Sequence, residues 1–390
     1  MSGPTAAILD LIETLVGFDT VSHKSNLALI EFVADYLAGF GIEAELIRDG
    51  HEPKANLFAT VGPADRPGVV LSGHTDVVPV EGQSWSADPF KVRRSDAKLF
   101  GRGTADMKSF IAVALAHVPA FQESHLKTPV HFAFSFDEEI GCVGVHSLLE
   151  KLAARPIRPL ACIVGEPTGM QVVIAHKGKI AVRCTVTGRE AHSSQAHKGA
   201  NAVEAAARII AHLSSMGARL REDGPFEADM DPPYATIQTG VVHGGEALNI
   251  VPGSCTFEFE IRFLPGQDAE FLLDEVRAFA DAEILPGLKT IADETGIDWH
   301  RISLIAALDG SQDNPAAQLA KALTGANATT KVAFGTEAGL YSLIDIPTVV
   351  CGPGHVDQAH KPDEFISLDQ VTQCEAFMTR LTERLASGFP

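Results

Sequence analysis

Short apolar segments that alternate with amphipathic ones constrain the fold of this chain most strongly. Residues 68–72 are apolar on both faces, and 129–136 and 159–166 are further apolar segments of strand length. Strands of this kind are typical of a sheet covered by helices on both sides. Residues 26–39 and 145–153 have the apolar spacing of helices. The alternation predicts an α/β fold with a mainly parallel sheet flanked by helices.

The middle of the chain has a different pattern. Residues 180–187, 235–242 and 254–263 alternate between apolar and polar side chains, and helical spacing separates these segments. Such alternation is typical of an antiparallel sheet with one covered face. The α/β pattern then returns. We therefore predict a catalytic domain formed by residues 1–179 and 306–390, interrupted by an inserted α+β domain at 180–305.

Composition limits the class of function. The 390 residues are 45% hydrophobic and 21% charged, and their length favours two domains. The formal net charge of -19 argues against binding to nucleic acid or to an anionic membrane, because both surfaces are negative. The six cysteines are scattered singly, and no segment reaches membrane-spanning length. We expect a cytoplasmic protein.

Three adjacent carboxylates, those of Asp137, Glu138 and Glu139, follow directly after the apolar segment 129–136. They repel one another, so metal ions or a basic partner would stabilise them; a solvated acidic turn is the alternative. Other residues with metal-binding side chains occupy comparable positions at strand ends or in loops. These are His74, Asp76, Asp106, Glu166 and His360.

Each of these residues also has an ordinary structural explanation. His74 and Asp76 could form a satisfied surface pair, and Asp106 lies near a helix start, where it could cap the helix. The Gly-rich bend before Asp106 lacks the third glycine of a dinucleotide-binding motif. Taken together, the imidazole and carboxylate groups are those that zinc prefers, and one bridging carboxylate can hold two ions about 3.5 to 4 Å apart.

The order of motifs resembles that of the M20 family of metallopeptidases and N-acyl amino-acid amidohydrolases. The resemblance extends over essentially the whole chain. It is carried by SGHTDVVP (72–79), GRGTADMKS (101–109), DEEIG (137–141), GEPT (165–168), GREAHSS (188–194), LNIVPG (248–253) with Arg262, and QAHKPDEF (358–365).

This resemblance implies a site with two divalent metal ions, zinc first and cobalt as the alternative. Asp106 would bridge the ions, His74 and Glu166 would complete one site, and Glu139 and His360 the other. Asp76 would orient His74. Glu138 would be the general base that activates a hydroxide bridging the ions for attack on an amide carbonyl. No motif for a covalent nucleophile is present in the sequence.

The resemblance also implies residues that contact the substrate. His192 would stabilise the oxyanion in the site of a partner subunit, which predicts a homodimer formed through the inserted domain. Arg262, Asn249 and Thr336 would bind the substrate's carboxylate. Without the resemblance, His192 would be interpreted as a solvated loop histidine and Arg262 as a strand-surface arginine. His176, His243 and His355 are interpreted as core or surface histidines.

Within the family, FGTEAGLY (334–341) and CGPGHVDQAHKPDEF (351–365) look most like acetylornithine deacetylases, enzymes of arginine biosynthesis. Met107 after Asp106 fits the same group. Glu337 would then favour a cationic substrate side chain. The alternatives are a succinyl-diaminopimelate desuccinylase, a broader N-acyl amino-acid deacylase, or a metal-free relative that only binds its ligand.

Overall fold

The protein divides into two compact units in the computed structural model, which describes residues 3–389. Unit 1 comprises Met1–Ala175, Leu308–Lys331 and Thr336–Pro390, and unit 2 comprises His176–Ala307 and Val332–Gly335. The predicted insert, 180–305, starts four residues later than unit 2, ends two residues before Ala307 and omits residues 332–335. Met1, Ser2 and Pro390, which the predicted catalytic domain included, lie outside the described residues.

The strands of the two units follow one another along the chain, with those of unit 1 before and after those of unit 2. They are β1 (Ala44–Arg48), β2 (Ala55–Val61), β3 (Val69–His74), β4 (Arg93–Ser95), β5 (Lys98–Phe100), β6 (Val130–Ser135), β7 (Ala161–Pro167), β8 (Val173–His176), β9 (Gly178–Thr187), β10 (Ala191–His192), β11 (Thr236–Gly244), β12 (Ile250–Val251), β13 (Ser254–Phe263), β14 (Gly296–Ile305), β15 (Leu308–Asp309), β16 (Thr330–Val332), β17 (Thr348–Gly352) and β18 (Phe365–Ser367).

The helices are distributed in the same way. They are α1 (Ala6–Val16), α2 (Leu27–Ala38), α3 (Lys108–Ala116), α4 (Val118–Glu123), α5 (Val145–Ala154), α6 (Ala202–Asp223), α7 (Ala269–Phe279), α8 (Leu285–Ile291), α9 (Pro315–Thr324), α10 (Ala338–Leu343) and α11 (Leu368–Ser387). Within residues 3–389, none of them combines the length and the apolar character required to span a bilayer.

Unit 1 is built on one large mixed sheet. Among the described residues its strand order is β1-β2-β6-β3-β7-β17-β8-β15, with β16 paired to β8. The central strands β6, β3, β7 and β17 run parallel, whereas β1, β2 and β8 pair in the antiparallel direction. The predicted α/β fold with a mainly parallel sheet is therefore confirmed at the centre of the sheet.

Burial explains why the central strands are so apolar. Every residue of β3, β6, β7 and β17 is buried, and alternate residues of a strand point to opposite faces, so both faces must be covered. The helix α3 packs on β3, and α1 and α11 pack on α3. Residues 108–115 of α3 are all buried, as expected for a helix between a sheet and outer helices.

The parallel strands bring their carboxyl ends to one edge of the sheet. β3 ends at His74, β6 at Ser135 and β7 at Pro167, so the residues after these strands lie close together. Sites in parallel α/β sheets form at this edge. The fold of unit 1 therefore positions the predicted metal-binding residues that follow β3, β6 and β7.

Unit 2 has the α+β composition that the alternating pattern predicts. Its sheet has the order β11-β13-β9-β14 with antiparallel pairs, and buried and part-buried residues alternate along β9 and β13. The helices α6 and α7 cover the buried face. β11 forms one edge of this sheet, and its Val241 and Val242 are exposed.

Candidate metal centre

His74 occupies the last position of β3 and is almost completely buried. Its Nδ1 atom lies 2.9 Å from the backbone carbonyl oxygen of Asp76. A carbonyl oxygen can only accept, so Nδ1 carries the hydrogen and the lone pair of the neutral ring is on Nε2. Gly73 lies where an added Cβ would be 3.0 Å from the Met107 side chain. The contact with the Asp76 carbonyl therefore leaves Nε2 as the nitrogen of His74 that is available to a metal ion.

Asp106 lies in the loop before α3. Its Oδ1 is 3.0 Å from the Nε2 of His74, and its Oδ2 is 3.2 Å from the Nε2 of His360. The helix cap is Met107, without a side-chain hydrogen bond, so the alternative that Asp106 caps the helix does not apply. One carboxylate thus faces two imidazoles, one on each oxygen, which is the arrangement required of a bridging ligand.

The remaining two acidic donors lie on opposite sides of this bridge. Oε2 of Glu139 is 3.0 Å from the Nε2 of His360, and Oε1 of Glu166 is 3.6 Å from the Nε2 of His74. Glu166 lies near the end of β7, and Glu139 follows β6. The structure therefore brings all five predicted metal ligands together, in two groups that share Asp106.

The distances fit divalent cations. Ligands about 2.0 to 2.1 Å from a tetrahedral zinc ion lie about 3.3 Å from one another. The donor atoms of His74, Asp106 and Glu139 lie within 4.8 Å of one another, and so do those of His74, Glu138 and Glu166. The chemistry of the donors, imidazole nitrogen and carboxylate oxygen, is also the one that zinc and cobalt accept. The second group shows that Glu138 is within reach of an ion as well.

Glu138 is the buried carboxylate without a cationic partner in this cluster. Among the described residues its side chain accepts one hydrogen bond, from the Sγ of Cys142 at 3.4 Å. Burial, together with the negative charges of Glu139 and Glu337, raises the pKa of Glu138 to about 8. A carboxyl group in such surroundings exchanges a proton near neutral pH, as a general base must.

The charges of the cluster are strongly coupled. Hydrogen bonds to Asp106 and Glu139 raise the pKa of His360 to about 10. Burial opposes a charge on His74, but its contacts with Asp106 and Asp76 raise its pKa well above the usual range. Burial raises the pKa of Glu166 well above the usual range. Positive charge thus stabilises these carboxylates, and divalent cations could supply it in place of protons.

Asp76 has contacts that its predicted role did not include. Its carboxylate lies 3.6 Å from the Nδ1 of His74, and the backbone carbonyl makes the closer contact. The carboxylate instead accepts from the hydroxyl of Ser22 and from the backbone N–H groups of Glu138 and Glu139. Asp76 therefore connects His74 to the loop that carries the base and one ligand.

A buried ion pair holds the same loop. Nζ of Lys54 lies 2.8 Å and 2.9 Å from the two carboxylate oxygens of Asp137 and donates to the backbone carbonyl of Ser22. Sequence reasoning missed Lys54 and Ser22. The available signal was a lysine directly before the apolar strand β2, a position in which a charge needs a partner.

Comparison with known proteins decides the family. The profile of peptidase family M20/M25/M40 matches residues 70–384. The chain belongs to peptidase family M20/M25/M40. The resemblance predicted from the motifs is confirmed, and so is the prediction of a hydrolase that acts on amide bonds.

Two relatives in the M20/M25/M40 family match nearly the full length of the chain. The acetylornithine deacetylase of Pasteurella multocida is 33% identical over 383 residues, which are 96% of this chain and 95% of the relative. The acetylornithine deacetylase of Proteus mirabilis is 35% identical over 370 residues, 94% of this chain and 92% of the relative.

Solved structures of the M20 family have the same fold. A metallo-carboxypeptidase from Sulfolobus solfataricus superposes with a TM-score of 0.76 at 18% identity and covers 98% of this chain and 100% of its own. The YXEP protein of Bacillus subtilis, described as a dinuclear metal-binding peptidase, has a TM-score of 0.67 at 16% identity and covers 98% of both chains.

The candidate substrate contacts of this M20 protein fall in both units. In unit 1, Thr336 and Glu337 are buried, and the Oγ1 of Thr336 accepts from the backbone N–H of Ala338. Ser135 and Ser72 lie beside the Glu337 carboxylate, whose Oε1 has no hydrogen-bond partner within residues 3–389, and burial raises the pKa of Glu337 to about 7.

In unit 2, the Nδ1 of exposed His192 lies 2.8 Å from the hydroxyl of Ser194, and Asn249 is exposed. Arg262 donates to Glu260 from its Nε at 2.9 Å. Lys177, which sequence reasoning missed, is buried, and burial and the charge of Arg262 lower its pKa to about 8. Unit 2 therefore holds two neighbouring cationic side chains, and the sequence signal for Lys177 is its place directly after the apolar segment 172–175 and His176.

Proposed function

We propose that the protein is a metal-dependent amidohydrolase that removes the acetyl group from N2-acetyl-L-ornithine, a step of arginine biosynthesis. The observation that carries the reaction type is the carboxylate of Asp106 between His74 and His360, at 3.0 Å and 3.2 Å. The substrate is inferred from two full-length relatives named acetylornithine deacetylase. The cofactors in this proposal are two divalent ions, zinc first and cobalt as the alternative.

The residues act in defined roles. Divalent ions, which His74, Asp106 and the neighbouring donors would hold, would supply Lewis-acid chemistry for an amide carbonyl and for water. Glu138 accepts the proton of the attacking water and delivers it to the leaving amine, for which its buried carboxylate is suited. The backbone N–H of Glu138 donates to Asp76 at 3.1 Å, and this bond keeps the base beside His74 and its partners.

The specificity proposal rests on charge. Arg262 and Asn249 of unit 2 and Thr336 of unit 1 would bind the substrate carboxylate, and Lys177 would add a second cation beside Arg262. The buried carboxylate of Glu337 would attract the cationic ornithine side chain through the low-dielectric interior. A distal carboxylate, as in a succinyl substrate, would be repelled by the same charge.

Steady-state kinetics on a panel of substrates test the proposal. With zinc or cobalt added, we expect kcat/KM for N2-acetyl-L-ornithine to exceed that for N-acetyl-L-methionine by about a hundredfold or more, the range that a complementary buried charge provides. N-succinyl-diaminopimelate should be hydrolysed poorly.

Three results would contradict the proposed preference for N2-acetyl-L-ornithine. Similar kcat/KM values across apolar acetyl amino acids would identify a broader deacylase. Preference for the succinyl substrate would identify a desuccinylase. Absence of turnover in a protein that still binds acetylornithine would identify a metal-free binding relative.

A homodimer formed through unit 2 is part of the proposal. The edge strand β11 has unpaired backbone groups on one side in the described chain, and its Val241 is 40% exposed and its Val242 51% exposed. Exposed apolar edge strands favour pairing with a second chain. In the dimer, His192 of each subunit would stabilise the oxyanion in the other subunit's site.

Mixing two inactive variants tests this arrangement. His192→Ala and Glu138→Gln homodimers should each be nearly inactive. After subunit exchange, half of the dimers contain one chain of each kind and one intact site, so about a quarter of the wild-type activity should return. Activity that stays at the level of the separate variants would show that His192 acts in its own subunit or not at all.

A cytoplasmic location completes the proposal. All six cysteines are buried free thiols. Free thiols persist in a reducing compartment, whereas secreted proteins of this size commonly form disulfides.

A further inference from the structure

A chain of hydrogen bonds connects the two loops that carry Asp106 and His360. Its first member is Glu364, which is buried. Its Oε1 accepts from the backbone N–H groups of Ala105 at 2.8 Å and Asp106 at 3.2 Å, and its Oε2 accepts from Nη1 of Arg102 at 2.7 Å. The carboxylate therefore fixes the backbone at Asp106.

Gln83 continues this chain to His360. Its Oε1 accepts from the Nη2 of Arg102 at 2.7 Å and from the indole Nε1 of Trp85 at 3.0 Å. Arginine and indole nitrogens only donate, so the amide oxygen of Gln83 must face them, and its NH₂ group points the other way. That group donates to the backbone carbonyl of His360 at 3.0 Å.

The position of His360 depends on this hydrogen bond from Gln83. Its backbone lies in the left-handed region, with φ of 62°, which non-glycine residues adopt only where surrounding contacts hold them. Its side chain is 54% exposed, so packing restrains the ring only on one side. The side chains of the other four candidate ligands are 10% exposed or less, so His360 is the ligand whose position is least fixed by packing.

We propose that Gln83 is a positioning residue for the second cation site, formed by Asp106, Glu139 and His360. It fixes the backbone of His360 relative to that of Asp106 through Arg102 and Glu364. Gln83 therefore sets the affinity for the second divalent ion and leaves the affinity for the first ion, held by His74 and Glu166, unchanged. This inference rests on the proposed two-ion function.

Titration of chelator-treated protein with Co²⁺ tests the inference. Calorimetry and the visible absorption of bound Co²⁺ give the two dissociation constants separately. In Gln83→Glu, the acceptor for Arg102 and Trp85 remains, and only the donor to His360 is lost. We expect the second dissociation constant to rise about tenfold, at the lower end of the effects of residues that orient metal ligands, and the first to stay unchanged.

The sign of the change in Gln83→Glu is informative. The added negative charge alone would tighten cation binding, so weaker binding of the second ion can only follow from the lost contact with His360. Gln83→Ala should weaken the binding of the same ion.

Gln122→Ala is the matched control, because Gln122 also donates to a backbone carbonyl, that of Phe40, at 2.8 Å. This variant should keep both constants.

Two outcomes overturn the inference alone. One is a dissociation constant for the second ion that stays unchanged or falls in Gln83→Glu. The other is an equal rise of the dissociation constants of both ions. Wild-type protein that binds only one Co²⁺ ion, or none, overturns it together with the two-ion proposal. The wild-type titration thus reports on the proposed function, and the difference between variants reports on Gln83.

Discussion

Glu138 and Glu139 are neighbours in the chain with different surroundings. The carboxylate of Glu139 contacts His360 at 3.0 Å, whereas that of Glu138 accepts from the thiol of Cys142 and forms no ion pair within the described residues. Adjacent residues at the end of a strand point in different directions, so one can bind an ion while the other remains available for a proton. The two glutamates should therefore respond differently to the same substitution.

Replacing Glu138 with Gln should lower kcat by about a thousandfold, within the range for removal of a general base. The bound metal should remain at the wild-type level, because Asp106 and the two histidines keep their contacts. Metal content by atomic emission and kcat are the measurements.

Glu139→Gln is the matched comparison. It removes a ligand, so the protein should lose one ion as well as activity. Loss of an ion in Glu138→Gln, with metal retained in Glu139→Gln, would reverse the two roles.

The sequence predicted the metal-binding residues because each of them follows an apolar segment or lies in a motif. It predicted that Asp76 orients His74, but it did not predict the long-range contacts that hold these residues in place. Ser22 and Asp76 are 54 positions apart, Lys54 and Asp137 are 83 apart, and Arg102 and Glu364 are 262 apart. Neither member of such a pair has a local pattern that identifies its partner, so these contacts depend on the tertiary fold.

At the scale of elements, the loop after β6 depends on charge more than on packing. Asp137 has a positive φ of 56°, and its carboxylate is paired with Lys54, whose side chain is 4% exposed. Removing one partner of a buried pair leaves the other charge without compensation. The sequence predicted the strand and the acidic turn, and the alternative of a solvated turn is wrong for Asp137, which is buried.

Lys54→Met should therefore lower the free energy of unfolding by about 3 kcal/mol, the effect of breaking a buried ion pair. Urea denaturation followed by circular dichroism measures this. The double variant Lys54→Met, Asp137→Asn should recover part of the loss, because neither charge remains.

Lys24→Met provides the control on the surface. Lys24 pairs with Asp19, and both side chains are 39% exposed. Its loss should lower the free energy of unfolding far less than the loss of Lys54, because solvent screens an exposed pair. Equal losses in the two lysine variants would show that the Lys54 pair does not stabilise the loop.

At the scale of the whole molecule, the cluster couples stability to pH. The folded-state pKa values of Glu138 and Glu337, about 8 and about 7, lie above those of an unfolded chain. The unfolded chain therefore loses these protons first as pH rises, and stability falls between about pH 5 and 8. The raised pKa values of His74 and His360 act in the same direction, because their stabilisation is lost as pH rises above about 6.5.

Chelator-treated protein should therefore melt at least about 2 °C lower at pH 9 than at pH 6, which corresponds to about 2 kcal/mol for a chain of 390 residues. With excess zinc the decrease should be smaller, because deprotonated ligands bind cations more strongly. Differential scanning calorimetry across this range measures both. Equal slopes with and without zinc would contradict the prediction.

The insertion of unit 2 also determines the order in which the ligands leave the ribosome. His74, Asp106 and Glu166 precede the insert, whereas His360 and the central strand β17 follow it. A nascent chain thus contains three candidate ligands of the first ion before unit 2 has been translated, whereas His360 and the inner strand β17 follow only after unit 2. In the proposed two-ion site, capture of the second ion is consequently a late event of biosynthesis, after β17 and the loop that carries His360 have emerged and folded.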